Sequence, residues 1–378
     1  MAGSAETIVM PGAVDLHVHL REPGTNSSET IASGTKAALI GGYALVCDMP
    51  NNPGNPTWSF EKLIEKQRII QKDAYIPVAT YSGSQPESDN VGQLAIMSRS
   101  SIGLKLYGAP TTGNERDYEA DDFDEIIREW HRAAPDKPIM LHAGEDNLRD
   151  FVDLVAVQNH HPLHICHVRG KDDVRVVSGA KFNDLPVTCG VCPHHLFKTS
   201  HDVLSEGWFA RMQPPLADQP DAEALLRMLA DGEIDVVETD HAPHSKPAKW
   251  QAEAENELGI HDPHHRTCFG VPGIEFALPL LFYQAKLGQL TTERIEEATA
   301  SKPAEIIGVR NTSKVEWSTE EYRIENEEQD VISDAGWTPY LGKLAIGRPI
   351  SVRAGKNLIV DGQIIDKSSR LMLRGGIV

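Results

Sequence analysis

Short apolar runs alternate with amphipathic stretches along most of this chain. Eight runs read as strands between about residue 12 and residue 310: VDLHVHL, YALVCDMP, YIPVATY, IGLKLYG, PIMLHAG, LHICHV, PVTCGV and IDVVETD. Between most of them apolar residues recur with a helical period, as in SSETIASGTKAALI, WSFEKLIEKQRIIQKDA, DDFDEIIREWHRAA, NLRDFVDLVAVQNHH, KDDVRVVSGAKF and DAEALLRMLADG. Eight strand–helix alternations predict an α/β fold of the (β/α)8 barrel type, although the alternation alone also permits an open, doubly wound sheet.

The C-terminal part follows a different pattern. After the acidic segment EWSTEEYRIENEEQD, the stretches LAIGRPISVRAG, NLIVDGQII and RLMLRG resemble short strands separated by turn residues. We therefore predict a disordered or cloning-derived start at residues 1–9, the barrel at residues 10–310, and a linker with a small β-rich appendage at residues 311–378. We expect this appendage, formed by the C-terminal segment, to pack beside the barrel without taking part in catalysis.

The first strand carries two histidines in the stretch VDLHVHLREPG. His17 and His19 stand at positions i and i+2, so both side chains project to the same side of a strand while the apolar residues pack behind them. The simpler interpretation is an exposed polar face of an edge strand. Two imidazoles at a strand end, followed at once by Arg-Glu-Pro-Gly, favour half of a metal site.

Composition narrows the range of partners and compartments. The formal net charge is -19 and no basic tract offsets it, which argues against nucleic acid and anionic membranes as partners. No apolar stretch is long enough to span a bilayer, and the start lacks a signal-peptide pattern, so we expect a cytoplasmic protein. The five cysteines are scattered through apolar segments, which predicts reduced, buried thiols.

Further residues able to bind metal lie at or near the ends of later strands. The complete set is His17, His19, Lys105, His142, His167 and Asp240. Because the C-terminal ends of barrel strands meet at one rim, where barrel enzymes build their sites, we expect the six to converge. Taken singly, a buried histidine is more often a satisfied core residue, and a lysine is more often a solvated surface group.

The order His-x-His, Lys, His, His, Asp resembles the two-zinc subtype of the amidohydrolase superfamily, in which the lysine becomes a carbamate that bridges two metal ions. The motifs HVHLREPG, CDMPNN, GLKLY, HICHV, PHHLF, TDHAPH and GVPGIE narrow the match. They resemble the dihydroorotases, most closely the domain that animals and fungi carry within a multifunctional pyrimidine-synthesis polypeptide. The resemblance covers about residues 10–365. Hydantoinases and allantoinases share the metal set but not HLRE together with MPN.

This resemblance implies the reversible cyclisation of N-carbamoyl-L-aspartate to dihydroorotate, with two zinc ions bridged by carboxylated Lys105. It assigns proton transfer to Asp240 as well as metal binding. It assigns substrate binding to Arg21, Asn51, His244, Pro272 and Gly273. It also implies neighbouring carbamoyl phosphate synthetase and aspartate carbamoyltransferase domains, and a homodimer.

Two residues depart from the family pattern close to the site. Dihydroorotases usually carry glutamate where this chain has Gly190, which predicts the loss of a carboxylate near the metals. Gln213 stands where the animal domain has an arginine and bacterial relatives an asparagine, so a charge-assisted contact to substrate becomes at best a neutral one. We therefore expect Gly190→Glu and Gln213→Arg each to recover part of any lost activity.

Two segments depart as well. The stretch GAPTTGNERD after Lys105 lacks the Thr-Phe pair that closes over substrate in the animal domain, and the segment between TDHAP and GVPG is about twice the expected length. Fungal relatives include a dihydroorotase-like domain regarded as catalytically silent. The four departures together favour impaired or lost catalysis. A fully active two-zinc dihydroorotase, or a hydrolase of another cyclic amide, remains an alternative.

Overall fold

The computed structural model of the protein describes residues 7–24, 28–111, 116–144, 146–258, 268–367, 371–373 and 376–377. Its strands are β1 Thr7–Met10, β2 Ala13–Val18, β3 Tyr43–Asp48, β4 Val78–Thr80, β5 Ser82–Gly83, β6 Leu104–Tyr107, β7 Ile139–His142, β8 Leu163–Ile165, β9 Val187–Val191, β10 Val236–Val237, β11 Lys314–Ser318, β12 Glu321–Arg323, β13 Leu344–Ile346, β14 Pro349–Ala354, β15 Lys356–Val360, β16 Gln363–Ile364, β17 Leu371–Leu373 and β18 Gly376–Ile377.

The α-helices are α1 Ile31–Ile40, α2 Phe60–Asp73, α3 Leu94–Met97, α4 Asp124–Ala133, α5 Leu148–Val152, α6 Lys171–Phe182, α7 Pro193–Phe197, α8 Ser200–Glu206, α9 Gln219–Ala230, α10 Lys246–Glu257, α11 Ala277–Lys286, α12 Thr292–Glu296, α13 Lys302–Ile306 and α14 Glu327–Asp330. A π-helical segment, Asp153–Gln158, continues α5, and a second, Glu297–Ser301, joins α12 to α13. No helix in the described part of the chain is long and apolar enough to cross a membrane.

The eight predicted strand runs form a parallel barrel. Parallel pairing runs from β2 through β3 to β4, and from β5 through β6, β7, β8 and β9 to β10. The pieces β4 and β5 belong to one run, interrupted at Tyr81. Val18 pairs in parallel with His241, so the first strand adjoins the segment that follows the last one. The predicted (β/α)8 barrel is confirmed, and the open doubly wound sheet is not.

The six predicted helical stretches contain α1, α2, α4, α5, α6 and α9. A hydroxyl side chain caps the start of α1. Thr30 is the N-cap residue, and its Oγ1 accepts a hydrogen bond from the Ser33 backbone at 3.0 Å. The threonine oxygen thereby satisfies one of the unpaired amides of the first turn.

The β appendage includes the N-terminal strand. The order of its main sheet is β1-β11-β14-β15-β16, with antiparallel pairing throughout. Residues 7–9, for which we expected a disordered start, are thus part of a strand, whereas residues 1–6 lie outside the described residues. At the other end of the chain, β17 pairs in parallel with β4 of the barrel. Both chain ends therefore join sheets, which the local sequence pattern did not reveal.

Two groups of buried side chains separate the outside of the barrel from its interior. Residues such as Val46, Val78 and Leu141 belong to the main core, whereas their strand neighbours Cys47 and Met140 belong to a second cluster. Because successive side chains point to opposite faces of a strand, the second cluster lines the inside of the barrel. By the same alternation, the lysine in β6 and the glycine in β9 face inwards. All five cysteines are buried and form no disulfide.

Candidate active site

Three predicted ligands from opposite ends of the barrel sequence meet at its rim. The Nε2 atoms of His17 and His19 lie 3.2 Å apart. Asp240 Oδ1 lies 3.4 Å from His17 Nε2 and 3.0 Å from His19 Nε2. Ligands bound about 2.0–2.1 Å from a tetrahedral zinc ion stand roughly 3.3 Å from one another. The spacing of these three atoms therefore fits one metal ion.

A second pair of ligands lies beside the first group. His142 Nδ1 and His167 Nε2 are 2.9 Å apart, and the His167 ring centroid lies 5.1 Å from that of His17. Burial is the main cause that lowers the pKa of both side chains, to about 3 for His142 and well below the ordinary value for His167. Neutral imidazoles are the form that binds metal. The four histidines of the rim thus present an uncharged donor set.

Lys105 is enclosed at the same rim. Its side chain is fully buried, and Nζ donates a hydrogen bond to Cys166 Sγ at 3.1 Å. The same Nζ lies 5.2 Å from the Tyr107 ring centroid. In the described part of the chain no carboxylate forms an ion pair with Lys105, although a buried ammonium without a counter-ion is costly.

Asp240 is set apart by its backbone and its pKa. Its φ is 44°, and Arg21 and His167 also have positive φ values, of 61° and 41°. Such conformations are unfavourable for residues other than glycine and tend to cluster at functional sites. Burial raises the pKa of Asp240 to about 7, although the charges of Lys105 and Arg21 oppose this rise. This carboxyl is therefore poised between its two protonation states near neutral pH.

Arg21 reaches across the rim to His244. Its Nε donates to the Pro243 carbonyl at 3.3 Å, and one terminal nitrogen lies 3.2 Å from His244 Nε2. The other terminal nitrogen, Nη1, is buried and has no hydrogen-bond partner among the described residues. Burial lowers the pKa of Arg21 to about 10, which leaves the side chain charged at neutral pH. An unpartnered guanidinium N–H of this kind fits a carboxylate ligand.

The C-terminal segment secures His244. Trp337 Nε1 donates to the His244 carbonyl at 2.7 Å, and His244 Nε2 lies 2.9 Å from the Phe269 carbonyl. Ser333 donates to Glu29, which also lies 3.3 Å from His241 Nε2. The region predicted as a linker therefore holds part of the rim in place, a role that its acidic composition did not suggest.

A buried ion pair supports the loop that carries Asn51. Lys66 Nζ lies 2.7 Å from Asp48 Oδ2, and it donates to the Met49 carbonyl at 2.7 Å. It also donates to Asn52 Oδ1 at 3.1 Å. Asn51 itself is buried at this loop. The aspartate and the asparagine pair lie within the motif CDMPNN, but the lysine that anchors them was not singled out from the sequence.

The backbone groups of Gly273 are hydrogen-bonded within the protein. Its N–H donates to His241 Nδ1 at 3.2 Å, and its carbonyl accepts from the Phe276 N–H at 3.1 Å. Pro272 has no N–H and can offer a substrate only its carbonyl oxygen. A substrate contact from this segment would therefore be made through a carbonyl oxygen, since each carbonyl has two lone pairs.

The space beside Gly190 contains a carboxylate. A Cβ atom at residue 190 would lie 2.7 Å from Cδ and Oε1 of Glu238, the residue that follows β10. Glu238 is fully buried, and its Oε1 accepts a hydrogen bond from the His167 N–H at 2.6 Å. The carboxylate that we expected to be missing near the candidate metal ligands is therefore supplied by a different residue, Glu238. In the sequence, Glu238 is the first residue of the stretch ETDHAPH, two positions before Asp240.

Gln213 lines a cavity of about 210 Å³ together with His142, His167 and Arg169. The adjacent Pro214 carbonyl lies 3.2 Å from His195 Nε2, which ties this loop to the PHH motif. The cavity has the size of a small ligand and opens directly onto two metal-binding candidates. Arg169, in the stretch HICHVRG, is a cation at this cavity that the sequence reasoning did not single out.

The long segment after His244 begins with α10 and is docked by one lysine. Lys249 is buried, and its Nζ donates to the backbone carbonyls of Trp208, Arg211 and Cys268 at 3.0, 3.1 and 2.7 Å. This links the start of the insertion to the chain just before Gln213. Residues 259–267 of the insertion, and residues 112–115 of the altered loop after Lys105, lie outside the described residues.

Three groups of buried donor atoms in the described part of the chain are close enough to hold a metal ion. The first is His17, His167 and Asp240; the second is His17, Cys166 and Glu238; the third is Cys192, His194 and His195. The first two share His17, and the thiol of the second accepts the hydrogen bond from Lys105. Of the six predicted ligands, His17, His167 and Asp240 thus fall within one such group, and His19 and His142 lie 3.2 and 2.9 Å from members of it.

Comparisons with known proteins agree with this site. The model of the amidohydrolase family matches residues 8–316. The multifunctional protein CAD of Squalus acanthias is 34% identical over 368 residues, which is 96% of this chain but only 15% of that protein. The dihydroorotase of Staphylococcus aureus is 31% identical, over 90% of this chain and 85% of the relative.

Solved structures share the fold at lower identity. The L-hydantoinase (dihydropyrimidinase) from Arthrobacter aurescens has a TM-score of 0.81 at 20% identity, over 97% of this chain and 88% of the other. The inactive dihydroorotase-like domain of the Chaetomium thermophilum CAD-like multifunctional protein has a TM-score of 0.74 at 22% identity, over 96% and 98%. With the ligand set at the barrel rim and the match to the bacterial enzyme, the chain belongs to the amidohydrolase family and, within it, to the dihydroorotases.

Proposed function

We propose that this chain is a dihydroorotase-type cyclic amidohydrolase, which interconverts N-carbamoyl-L-aspartate and dihydroorotate at two zinc ions. The observation that carries the proposal is the cluster of His17 Nε2, His19 Nε2 and Asp240 Oδ1, which lie 3.0 to 3.4 Å from one another at the barrel rim. The similarity to the dihydroorotase of Staphylococcus aureus supports the reaction class.

Lys105 is proposed to bridge the two ions as a carbamate. The ammonium first loses a proton; the neutral amine then attacks carbon dioxide, forming an N–C bond as a C–O π bond opens, and loses a second proton, so that an anionic oxygen ligand replaces a buried cation. The supporting observations are full burial and the lack of a carboxylate ion pair within the described residues. When bound, zinc supplies a Lewis acid and acidifies water at this position.

Asp240 is proposed to move the proton. In hydrolysis its carboxylate takes a proton from the attacking water and delivers it to the ring nitrogen that leaves; ring closure uses the same steps in reverse. Arg21, with one buried N–H unpartnered among the described residues, binds the substrate carboxylate. His244, whose Nε2 lies 3.2 Å from Arg21, and Asn51 are proposed to contact the same substrate.

We propose further that catalysis is impaired compared with an enzyme that has a cation at residue 213. Gln213 offers only a neutral hydrogen bond to an anionic substrate, about half as strong as a charge-assisted one. Arg169 lines the same cavity, but three aspartates line it too, Asp117, Asp146 and Asp173, so Arg169 gives the cavity no net positive charge. A silent domain kept as a scaffold is the second candidate, favoured by this neutral residue and by the docked insertion that precedes Pro272.

One experiment separates these candidates. Purified protein would be loaded with zinc, its zinc content measured by elemental analysis, and dihydroorotate turnover assayed in both directions. We expect about two equivalents of zinc and detectable turnover below 1 per second, the low end of ordinary enzyme rates. Trace zinc would contradict the metal centre, bound zinc with no turnover would favour the scaffold, and a rate above this limit would contradict impairment.

Gln213→Arg is expected to raise kcat/KM for dihydroorotate. A charged hydrogen bond regained in a dry site contributes about 1.5–3 kcal/mol, which is roughly ten- to a hundred-fold in rate. Most of the change should appear in KM, because the carboxylate is bound in both ground and transition states. Gln219→Arg, at the exposed start of α9, is the control. An equal or lower kcat/KM in Gln213→Arg would remove residue 213 as the cause of impairment.

The assembly is also a proposal. The relative from Squalus acanthias is named a multifunctional protein, and the chain spans 15% of its length. We propose neighbouring carbamoyl phosphate synthetase and aspartate carbamoyltransferase domains and a homodimer of this domain, since symmetric dimers are the commonest assemblies. Light scattering at high micromolar concentration should give twice the monomer mass of 41.6 kDa. A monomer under these conditions would contradict the dimer.

A further inference from the structure

Gly190 and Glu238 face each other inside the barrel. Gly190 is the parallel partner of Val236, and the Glu238 N–H donates to the Val191 carbonyl at 3.1 Å, so the two strands stay in register up to the glutamate. A Cβ at residue 190 would meet Cγ, Cδ and Oε1 of Glu238 at 3.0, 2.7 and 2.7 Å. Contacts below 3.0 Å force a neighbour to move. A side chain at residue 190 would therefore displace the Glu238 carboxylate from its present position.

The Glu238 carboxylate lies close to two of the candidate metal ligands, His167 and His17. Its Oε1 accepts from the His167 N–H at 2.6 Å, and His167 has an unfavourable φ of 41°. The same Oε1 lies 3.9 Å from His17 Nδ1. His17 Nε2 points to His19 and Asp240, so Nδ1 is the nitrogen on the side of the carboxylate.

At 3.9 Å the Glu238 carboxylate is too far from His17 Nδ1 for a hydrogen bond, so it acts on this imidazole through its charge. A histidine that binds metal through one ring nitrogen usually donates its other N–H to a carboxylate or carbonyl, which fixes the ring orientation and strengthens the ligand. In the described part of the chain, His17 Nδ1 has no hydrogen-bond partner, and Glu238 is the carboxylate closest to it by ion-pair geometry. His164 Nε2 lies 3.4 Å from the other oxygen of the Glu238 carboxylate, Oε2.

We infer that Glu238 is a positioning residue of the metal centre, which supplies from the end of β10 the carboxylate that the family resemblance led us to expect at residue 190. Glu238 holds the His167 backbone by a hydrogen bond and places its negative charge beside the His17 imidazole. The inference rests on the proposed function, because it concerns residues that would support the zinc ions.

This inference changes the expected effect of Gly190→Glu. As a single change it places a second carboxylate within contact distance of the first, so it should weaken zinc binding and lower the Tm instead of restoring activity. Combined with Glu238→Ala, which clears the space, the same substitution should return one carboxylate to its place. The two positions are therefore expected to be strongly non-additive.

The test measures zinc affinity, by competition with a chromophoric chelator, and Tm in the parent, Glu238→Gln, Glu238→Ala, Gly190→Glu and the double variant Gly190→Glu/Glu238→Ala. Glu238→Gln keeps the shape and an oxygen that can accept from the His167 N–H, but it removes the negative charge beside His17. Glu275→Gln is the matched control, because Glu275 is another buried carboxylate, which accepts the Ile332 and Ser333 N–H groups at 3.1 and 3.0 Å.

We expect zinc affinity to fall about 10- to 100-fold in Glu238→Gln and Glu238→Ala with the saturating stoichiometry unchanged. The double variant should recover most of this loss, and Glu275→Gln should lower Tm alone. Parent-like zinc affinity in Glu238→Gln, or a double variant no better than Glu238→Ala, overturns the inference. Loss of a whole zinc equivalent would overturn it in favour of direct ligation by Glu238.

Failure of the proposed function gives a different result. A parent protein that binds no zinc contradicts the metal centre and this inference together. A parent that binds zinc but does not turn over dihydroorotate contradicts only the proposed reaction, since zinc affinity in the variants is measured without substrate.

Discussion

Asp240→Asn is expected to lower dihydroorotate turnover by about 10²- to 10⁴-fold, the usual contribution of a positioned acid or base. The amide has nearly the same shape as the carboxyl group but neither gains nor loses a proton near neutral pH. Its oxygen still faces His17 and His19, where Asp240 Oδ1 lies at 3.4 and 3.0 Å. Catalysis should therefore be lost while the fold is kept.

The backbone of Asp240 makes asparagine a suitable replacement. Asparagine tolerates positive φ better than most residues, so the φ of 44° need not change. Asp361→Asn is the matched control, because Asp361 also has a positive φ, of 50°, in an exposed turn of the appendage. Turnover, zinc content and Tm would be measured in all three proteins. A parent-like rate in Asp240→Asn would remove this residue from proton transfer.

Lys105→Ala is expected to lower turnover by more than about 100-fold. Loss of a residue that only supports a metal ligand typically costs roughly 10- to 100-fold. The proposed carbamate would bind both ions directly, so its loss should cost more. Zinc content should fall towards one equivalent. Truncation also leaves a hole inside the barrel, since Lys105 is fully buried. Acetate or propionate, which place a carboxylate in that hole, should restore part of the activity.

Two comparisons test the carbamate itself. Zinc reconstitution of the parent protein should require bicarbonate and should fail in buffer depleted of carbon dioxide. Lys171→Ala is the control lysine, since Lys171 lies at the start of α6 and pairs with Asp221 at 2.9 Å, with its side chain partly exposed. If Lys105→Ala retains the zinc content and the rate of the parent, the bridging role is wrong.

The local pattern of the chain was sufficient for the barrel, and it also named most of the candidate metal ligands. The alternating apolar runs predict where the strands lie, because every second side chain on a strand points to the same face whatever surrounds it. The ligands followed from the same rule. His17 and His19 share a face by spacing alone, and the others stand at strand ends, which parallel pairing brings to one rim. The family motifs supplied the identity of Lys105, whose spacing alone suggests no metal site.

Contacts between distant segments were decided only when the strands came together. Glu238 reaches the backbone of His167, 71 positions away, and Trp337 holds His244 from 93 positions away. From the sequence we interpreted Gly190 as a missing carboxylate, because the local sequence does not show which residue of a neighbouring strand lies beside the glycine. Strand pairing sets Gly190 against the glutamate that fills its space. The periodicity of the sequence predicts the face of the strand to which a side chain points, whereas the pairing of strands in the closed barrel determines which other side chain it contacts.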